Sequence, residues 1–288
     1  MEAYLDIVRQ ILQNGVKKEN RTGIDTLALS GMKFEHDMTD GFPLLTTKKV
    51  PFRLISSELE FFIQGLTDKR WLQERNNHIW DEWCNPEKVR YGKDEETKQK
   101  MKEERDLGPI YGFQWRHFGA EYKGPDANYL FKGTDQLAEL VDTLKTNPHD
   151  RRMIVSAWNP LQLHQMALPP CHYSFQVTVI SDKLNLMWNQ RSVDTMLGLP
   201  FNIASYATLL HLLAKEGKFQ EGKLTGFLGD THIYVNHREG AEEQLIRKPY
   251  DLPQINTNPL TSFFECKHTD SQVIRYKSHP NIKFEIAV

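Results

Sequence analysis

The chain has little cysteine, no long apolar run and almost no net charge, and each absence removes a class of function. Its three cysteines, Cys84, Cys171 and Cys266, include no C-x-x-C pair. A zinc site or a redox dithiol therefore has no support, and no metal is expected. No apolar stretch approaches the ~18 residues of a membrane span. The opening Met1-Glu2-Ala3-Tyr4-Leu5-Asp6 lacks a basic region followed by an apolar run, so the chain reads as soluble and cytoplasmic, with no secretory leader. Lys and Arg number 36 against 38 Asp and Glu, a formal charge of −2. That balance offers no basic face to a polyanion, so nucleic acid is not expected as the main ligand. It leaves room for a few arginines around a small anion. Phosphate loops of the G-x-x-x-x-G-K type, dinucleotide G-x-G-x-x-G and H-E-x-x-H are absent as well.

Core material, by contrast, is ample. Hydrophobic residues make up 39% of 288, with 15 Phe, 10 Tyr and 6 Trp, enough to bury a sizeable interior. Tyr4, Leu5, Val8, Ile11 and Leu12 share one stripe and predict a helix over 3–14 that stops at Gly15. Pro51 opens a second through Phe52, Ile55, Leu59 and Phe62, stopping at Gly65. Leu137, Leu140, Val141 and Leu144 mark a third, and Pro200 precedes a buried helix from Phe201 to Gly217. Strands are expected over 26–35, 152–158, 173–180, 184–190, 226–235 and 282–288, with Ser181-Asp182-Lys183 joining two of them as a hairpin. Residues 119–134 read as loop, and the highly charged 84–106 as a surface insertion with a short helix. No repeat or linker divides the chain, so one α/β domain over 1–288 is expected rather than two.

The densest chemistry lies in Met166-Ala167-Leu168-Pro169-Pro170-Cys171-His172. Two prolines fix the local backbone and present the thiol in a definite direction. A cysteine attacks as thiolate, and cations lower its pKa. If the hairpin forms, Arg191 lies at the same end as Cys171; a buried core cysteine is the competing reading. Arg151 and Arg152 are either a solvated pair or partners of Arg21, Arg191 and Ser192 around a nucleotide-sized phosphate, since the guanidinium fork fits its oxygens. Trp80-Asp81-Glu82-Trp83 and Phe113-Gln114-Trp115-Arg116 are core aromatics or the wall of a planar ligand. Asp230-Thr231-His232-Ile233-Tyr234 alternates as a half-buried strand does, so His232 and Tyr234 project together, toward a sugar hydroxyl or as a satisfied core pair.

Longer strings carry a family resemblance. Arg21-Thr22-Gly23, Pro43-Leu44-Leu45-Thr46-Thr47-Lys48-Lys49, Gly108-Pro109-Ile110-Tyr111-Gly112 and Ser156-Ala157-Trp158-Asn159-Pro160 are four of them. The Pro-Pro-Cys-His segment, Gln190-Arg191-Ser192, Gly198-Leu199-Pro200-Phe201-Asn202-Ile203-Ala204-Ser205-Tyr206-Ala207 and Gly229-Asp230-Thr231-His232-Ile233-Tyr234 continue the series. In this order, over essentially the whole chain, they resemble the folate-dependent, cysteine-using thymidylate synthase family.

The resemblance implies a homodimeric, three-layer α/β fold whose mixed β-sheet forms the dimer interface. It implies conversion of dUMP to dTMP with 5,10-methylenetetrahydrofolate as co-substrate, through a covalent adduct of Cys171 with C6 of uracil. Glu58 would move protons, supported by Tyr111 and His172, and Asn202 would read the base. Arg21, Gln190, Arg191, Ser192 and Asp194 would join the nucleotide site, with Arg151 and Arg152 from the partner subunit. His232 and Tyr234 would take the 3′-hydroxyl. Ile79, Trp80, Trp83, Asp194, Leu197, Gly198, Phe201 and Ala287 would line the folate site, and the tail Ile286-Ala287-Val288 would close it. Departures are Trp188-Asn189 where the family usually has Leu-Tyr, and Glu60-Phe61 where it usually has Leu-Trp. They leave Glu60 as a rival to Glu58 and keep a dUMP hydroxymethylase on the same fold as the alternative. Trp80 and the tail oppose that alternative, and Asn202 rather than Asp speaks for uracil over cytosine. A non-catalytic nucleotide- or RNA-binding regulator is the third reading.

Overall fold

The apolar stripe of Tyr4, Leu5, Val8 and Ile11 is buried as helix α1 (Glu2–Asn14), and the chain leaves it at Gly15. The computed structural model describes residues 1–259 and 261–285. Strands β1 (Val16–Lys18) and β2 (Thr26–Asp37) follow, then α2 (Phe52–Ile63), α3 (Arg70–Gln73), α4 (Glu95–Glu103), α5 (Tyr111–His117) and α6 (Gln136–Thr146). The second half carries β3 (Ile154–Ser156), β4 (His172–Ile180), β5 (Lys183–Asp194), α7 (Gly198–Gly217), β6 (Gln220–Tyr234), α8 (Arg238–Ile246), β7 (Gln254–Thr257) and β8 (Ser271–Ile274).

Among the described residues the main sheet has six strands in the order β1-β2-β6-β5-β4-β3. Only β5 and β6 run parallel among its described pairs. A parallel pair needs a crossover, and α7 supplies it. β4 and β5 form the expected hairpin through Ser181 and Asp182, at φ 49° and 62°, the conformation a two-residue turn demands. Along β5 the residues Leu184, Leu186, Trp188 and Gln190 are buried, and Lys183, Asn185, Met187 and Asn189 between them are half-buried. The buried side packs on α7, while α1 packs on β2 and β6, and α2 and α6 pack on α7. Three layers result, with the core between them. The other side of the sheet leaves Phe227 46% and Ile180 64% exposed.

Several boundaries differ from expectation. Helix α7 begins at Gly198, so Pro200 lies inside its first turn, where its missing N–H costs nothing. β6 begins at Gln220 rather than 226, and β3 covers only Ile154–Ser156 of 152–158. Residues 282–285 are not strand, and 286–288 lie outside the described residues. The pair β7–β8 and helices α3, α5 and α8 were not expected. Within 84–106, α4 is capped by Asp94 accepting from the Thr97 N–H, while Cys84, Asn85, Met101 and Asp106 are buried. Lys69, 1% exposed, ties this segment down by donating to the carbonyls of Asp81, Trp83 and Met101 at 2.8, 2.9 and 2.8 Å. No helix among the described residues is long and apolar enough to cross a membrane.

Candidate active site

Cys171 immediately precedes β4, and the hairpin brings β5 beside it. The Arg191 N–H donates to the Cys171 carbonyl at 2.8 Å. The Arg191 guanidinium donates to the carbonyls of Pro170 (Nε, 3.0 Å) and Pro169 (Nη2, 2.7 Å). The Pro-Pro-Cys corner is thus clamped on three successive carbonyls, with guanidinium donors left over. The Cys171 N–H donates to the Tyr111 hydroxyl at 2.9 Å. Burial raises the thiol, while Arg191 and Arg21 pull it down. The arginines act in the expected direction, but burial outweighs them. The other two thiols, Cys84 and Cys266, are pushed up to about 11.

Cys171 opens into a cavity of about 630 Å³ that it shares with Arg21, Arg191, Ser192, His232, Tyr234 and Trp83. His232 Nδ1 lies 2.9 Å from the Asp230 carboxylate, and its ring meets that of Tyr234 edge-on at 5.3 Å. Tyr91 and Trp158 also line this cavity; the sequence offered Trp158 only within the 156–160 string and Tyr91 not at all. Arg191 sits 5.6 Å from the Trp158 ring centroid. Tyr91 comes from the charged 84–106 segment; its hydroxyl accepts from the Cys84 N–H and donates toward the carbonyls of Cys84 and Ala167. An aromatic isolated in a charged stretch was the available signal.

Behind Cys171 lies a chain of aromatics ending on a carboxyl. Tyr111 stacks on His172 at 4.4 Å, and His172 Nδ1 is 2.9 Å from the Tyr206 hydroxyl. Trp80 lies 6.2 Å from Tyr111, ring to ring, and its Nε1–H donates to Glu58 Oε1 at 2.8 Å. Burial pushes the Glu58 carboxyl up to about 7 against the pull of that bond. Burial likewise takes His172 down to about 3, so its ring stays neutral. Glu60, two residues along α2, points elsewhere: its carboxylate accepts from the His268 N–H at 2.7 Å and faces His268 Nδ1 at 2.7 Å. Periodicity explains the split, since helical neighbours two apart do not share a face.

Asn202 stands one turn into α7, and its Oδ1 accepts from Gln190 Nε2 at 3.0 Å. Asp194 ends β5 and accepts from the N–H groups of Met196 and Leu197 at 3.0 and 3.1 Å, ordering the entry to α7. Gly198 sits between them; a Cβ there would lie 3.8 Å from both Asn202 Oδ1 and Asp194 Cβ. Ile79, Trp83, Leu197 and Phe201 pack on the core with one side open. Ala287 lies outside the described residues. Arg151 and Arg152 are exposed and do not line the cavity; Arg152 instead donates to Asp150 at 2.9 and 2.6 Å. Phe113 and Trp115 are buried in the core rather than facing a ligand.

Comparison with known proteins agrees in extent with this arrangement. The thymidylate synthase family model matches residues 2–288. A curated relative, the bifunctional dihydrofolate reductase-thymidylate synthase of Paramecium tetraurelia, is 43% identical over 285 residues. The match covers 99% of this chain and 61% of that relative, so the chain spans about three fifths of its length.

Proposed function

The chain belongs to the thymidylate synthase family, and from that membership we propose that it is a methyltransferase converting dUMP to dTMP. The co-substrate 5,10-methylenetetrahydrofolate supplies the carbon and the hydride and leaves as dihydrofolate. One arrangement carries the reading: Cys171, clamped by Arg191 and Tyr111, shares a cavity with Arg21 and Ser192, and Glu58 joins the aromatics behind it. Cys171 Sγ bonds to C6 of uracil and leaves C5 nucleophilic, which divides one hard step into easier ones. Arg21, Arg191 and Ser192 take the phosphate, and the arginines also favour the thiolate. Glu58, near neutrality, can both give and accept a proton at O4 and around C5, with Tyr111 and His172 beside it. Asn202, held by Gln190, offers a donor and an acceptor to O4 and N3–H of uracil. His232 and Tyr234 take the 3′-hydroxyl.

The apolar, half-buried Ile79, Trp83, Leu197 and Phe201 suit a planar co-substrate ring, and the resemblance adds Trp80, Asp194 and Gly198 to them. Ala287 belongs to this set through the resemblance alone. We read 1–288 as one domain with 84–106 as an insertion, and the protein as a cytoplasmic homodimer joined through the open face of the sheet. Exposed Phe227 and Ile180 support that face, and the position of Arg151 and Arg152 outside their own cavity supports their use in the partner's. Product analysis with dUMP and methylenetetrahydrofolate tests the reaction: dTMP with dihydrofolate is expected. Hydroxymethyl-dUMP with tetrahydrofolate would make the protein a hydroxymethylase instead.

A further inference from the structure

Trp188, one of the departures from the family pattern, has no contact with solvent. Gly226 is its register partner on β6, and a Cβ there would lie 2.4 Å from the indole Cζ2. Glycine at 226 is what leaves room for the ring. Tyr206 stacks on it at 5.2 Å, and Phe34 tilts against it at 5.9 Å. The indole Nε1–H donates to Gln190 Oε1 at 3.1 Å. Gln190 Nε2 in turn donates to the Ser192 carbonyl at 3.1 Å and to Asn202 Oδ1 at 3.0 Å.

Elementary chemistry fixes the polarity of this relay. An indole N–H only donates and a backbone carbonyl only accepts. Gln190 must therefore turn its oxygen to Trp188 and its nitrogen to Ser192 and Asn202. Asn202 must then present Oδ1 to Gln190, which leaves Nδ2 for an acceptor on the base. We propose that Trp188 is a positioning residue for base selection, acting through Gln190 on the orientation of the Asn202 amide. The inference rests on the reading of the cavity as a dUMP site. Uracil pairs O4 with Asn202 Nδ2, and its N3–H with the second lone pair of Oδ1. Cytosine has the opposite pattern, an acceptor at N3 and a donor at N4, and needs the amide reversed. Reversal would set Asn202 Nδ2 against Gln190 Nε2, two donors face to face. Without the indole N–H, Gln190 Oε1 would be a buried acceptor with no partner, and Gln190, 3% exposed, would no longer be held in this orientation.

Trp188→Phe keeps an aromatic ring against Tyr206 and removes the N–H. Binding of dUMP and of dCMP to the full chain, measured by titration, gives a selectivity ratio. The ratio is expected to fall about tenfold in Trp188→Phe, the effect of one net hydrogen bond. Gln190→Met should lower it as well, and the double variant should fall no further than Gln190→Met alone, because Trp188 acts through Gln190. An unchanged ratio in Trp188→Phe, or a fully additive double variant, overturns the inference. Gly226→Ala crowds the indole with its N–H intact and should shift the ratio in the same direction, which keeps the test available if Trp188→Phe does not fold. Turnover of dUMP by the wild type separates the two levels. Its absence defeats the reading of the cavity and this inference together, whereas turnover with an unchanged ratio defeats the inference alone.

Discussion

Burial raises all three thiols, and Cys171 differs in what pulls against it: two arginines, Arg191 and Arg21, at the edge of an open cavity. Cys171→Ala should therefore bring turnover below detection while circular dichroism and dUMP binding persist, and Cys84→Ser or Cys266→Ser should leave turnover largely intact. Near-normal activity in Cys171→Ala would remove the covalent step. Glu58 permits a test by pH. Its carboxyl is raised in the folded state from 4.5 to about 7, so the fold favours the protonated form. The stability this contributes is present below the unfolded value and is lost as pH rises through about 7. Glu58→Gln, fixed in the neutral form, should gain thermal stability over the wild type at about pH 8 and much less at about pH 4. It should also lose turnover by at least about a hundredfold, the usual contribution of a general acid or base. A melting difference that is the same at both pH values would show that Glu58 is not the buried titrating group.

At the scale of elements, helices α2 and α5 meet at a place where no side chain fits. A Cβ at Gly112 would lie 2.6 Å from the Phe62 carbonyl oxygen, a backbone atom that cannot step aside. This approach seats Tyr111, the residue before it, against both Phe62 (rings stacked at 4.9 Å) and Cys171. Gly112→Ala should destabilise the protein by about 1–3 kcal/mol in urea unfolding, although alanine is the better helix former. Unchanged or increased stability would mean that α5 can move off α2 freely. The same packing explains why α5 escaped sequence reading. Tyr111, Gly112, Phe113, Gln114 and Trp115 are all buried, and burial on every side erases the periodicity that betrayed α1 and α6. The β4–β5 hairpin was legible because its alternation and turn residues are local. Strands β7 and β8, of four residues each, offer too short a pattern to register. In the candidate site, Cys171 and Arg191 could be placed together from the hairpin alone, whereas Tyr91 and Glu58 reach the cluster through loops and helix packing that no local pattern encodes. Glu58 and Glu60 are told apart only by the helix face, which sets Glu58 against Trp80 and Glu60 against His268.

At the scale of the whole molecule, the exposed arginines of the 151–152 turn pose a question that subunit exchange can answer. In one chain Arg151 and Arg152 are exposed and Arg152 is paired with Asp150, while Arg21 and Arg191 border the Cys171 cavity. A two-fold interface is self-complementary, so whatever one subunit lends its partner it also receives. If the open face of the sheet forms that interface, each cavity is completed by the other chain's arginines. Two subunits damaged in different ways can then rebuild one good site. Cys171→Ala alone should be inactive, and Arg151→Glu/Arg152→Glu alone should be severely impaired, because acidic side chains would repel the phosphate. Mixed under conditions that exchange subunits, the two variants should regain activity. In the heterodimer one site has its own Cys171 and receives intact arginines from the Cys171→Ala partner, and the other site has neither. Recovery should therefore approach one working site per heterodimer, and it should scale with the heterodimer fraction measured by native mass spectrometry. Exchange without recovery would place the arginines in their own chain's site, or away from the phosphate altogether.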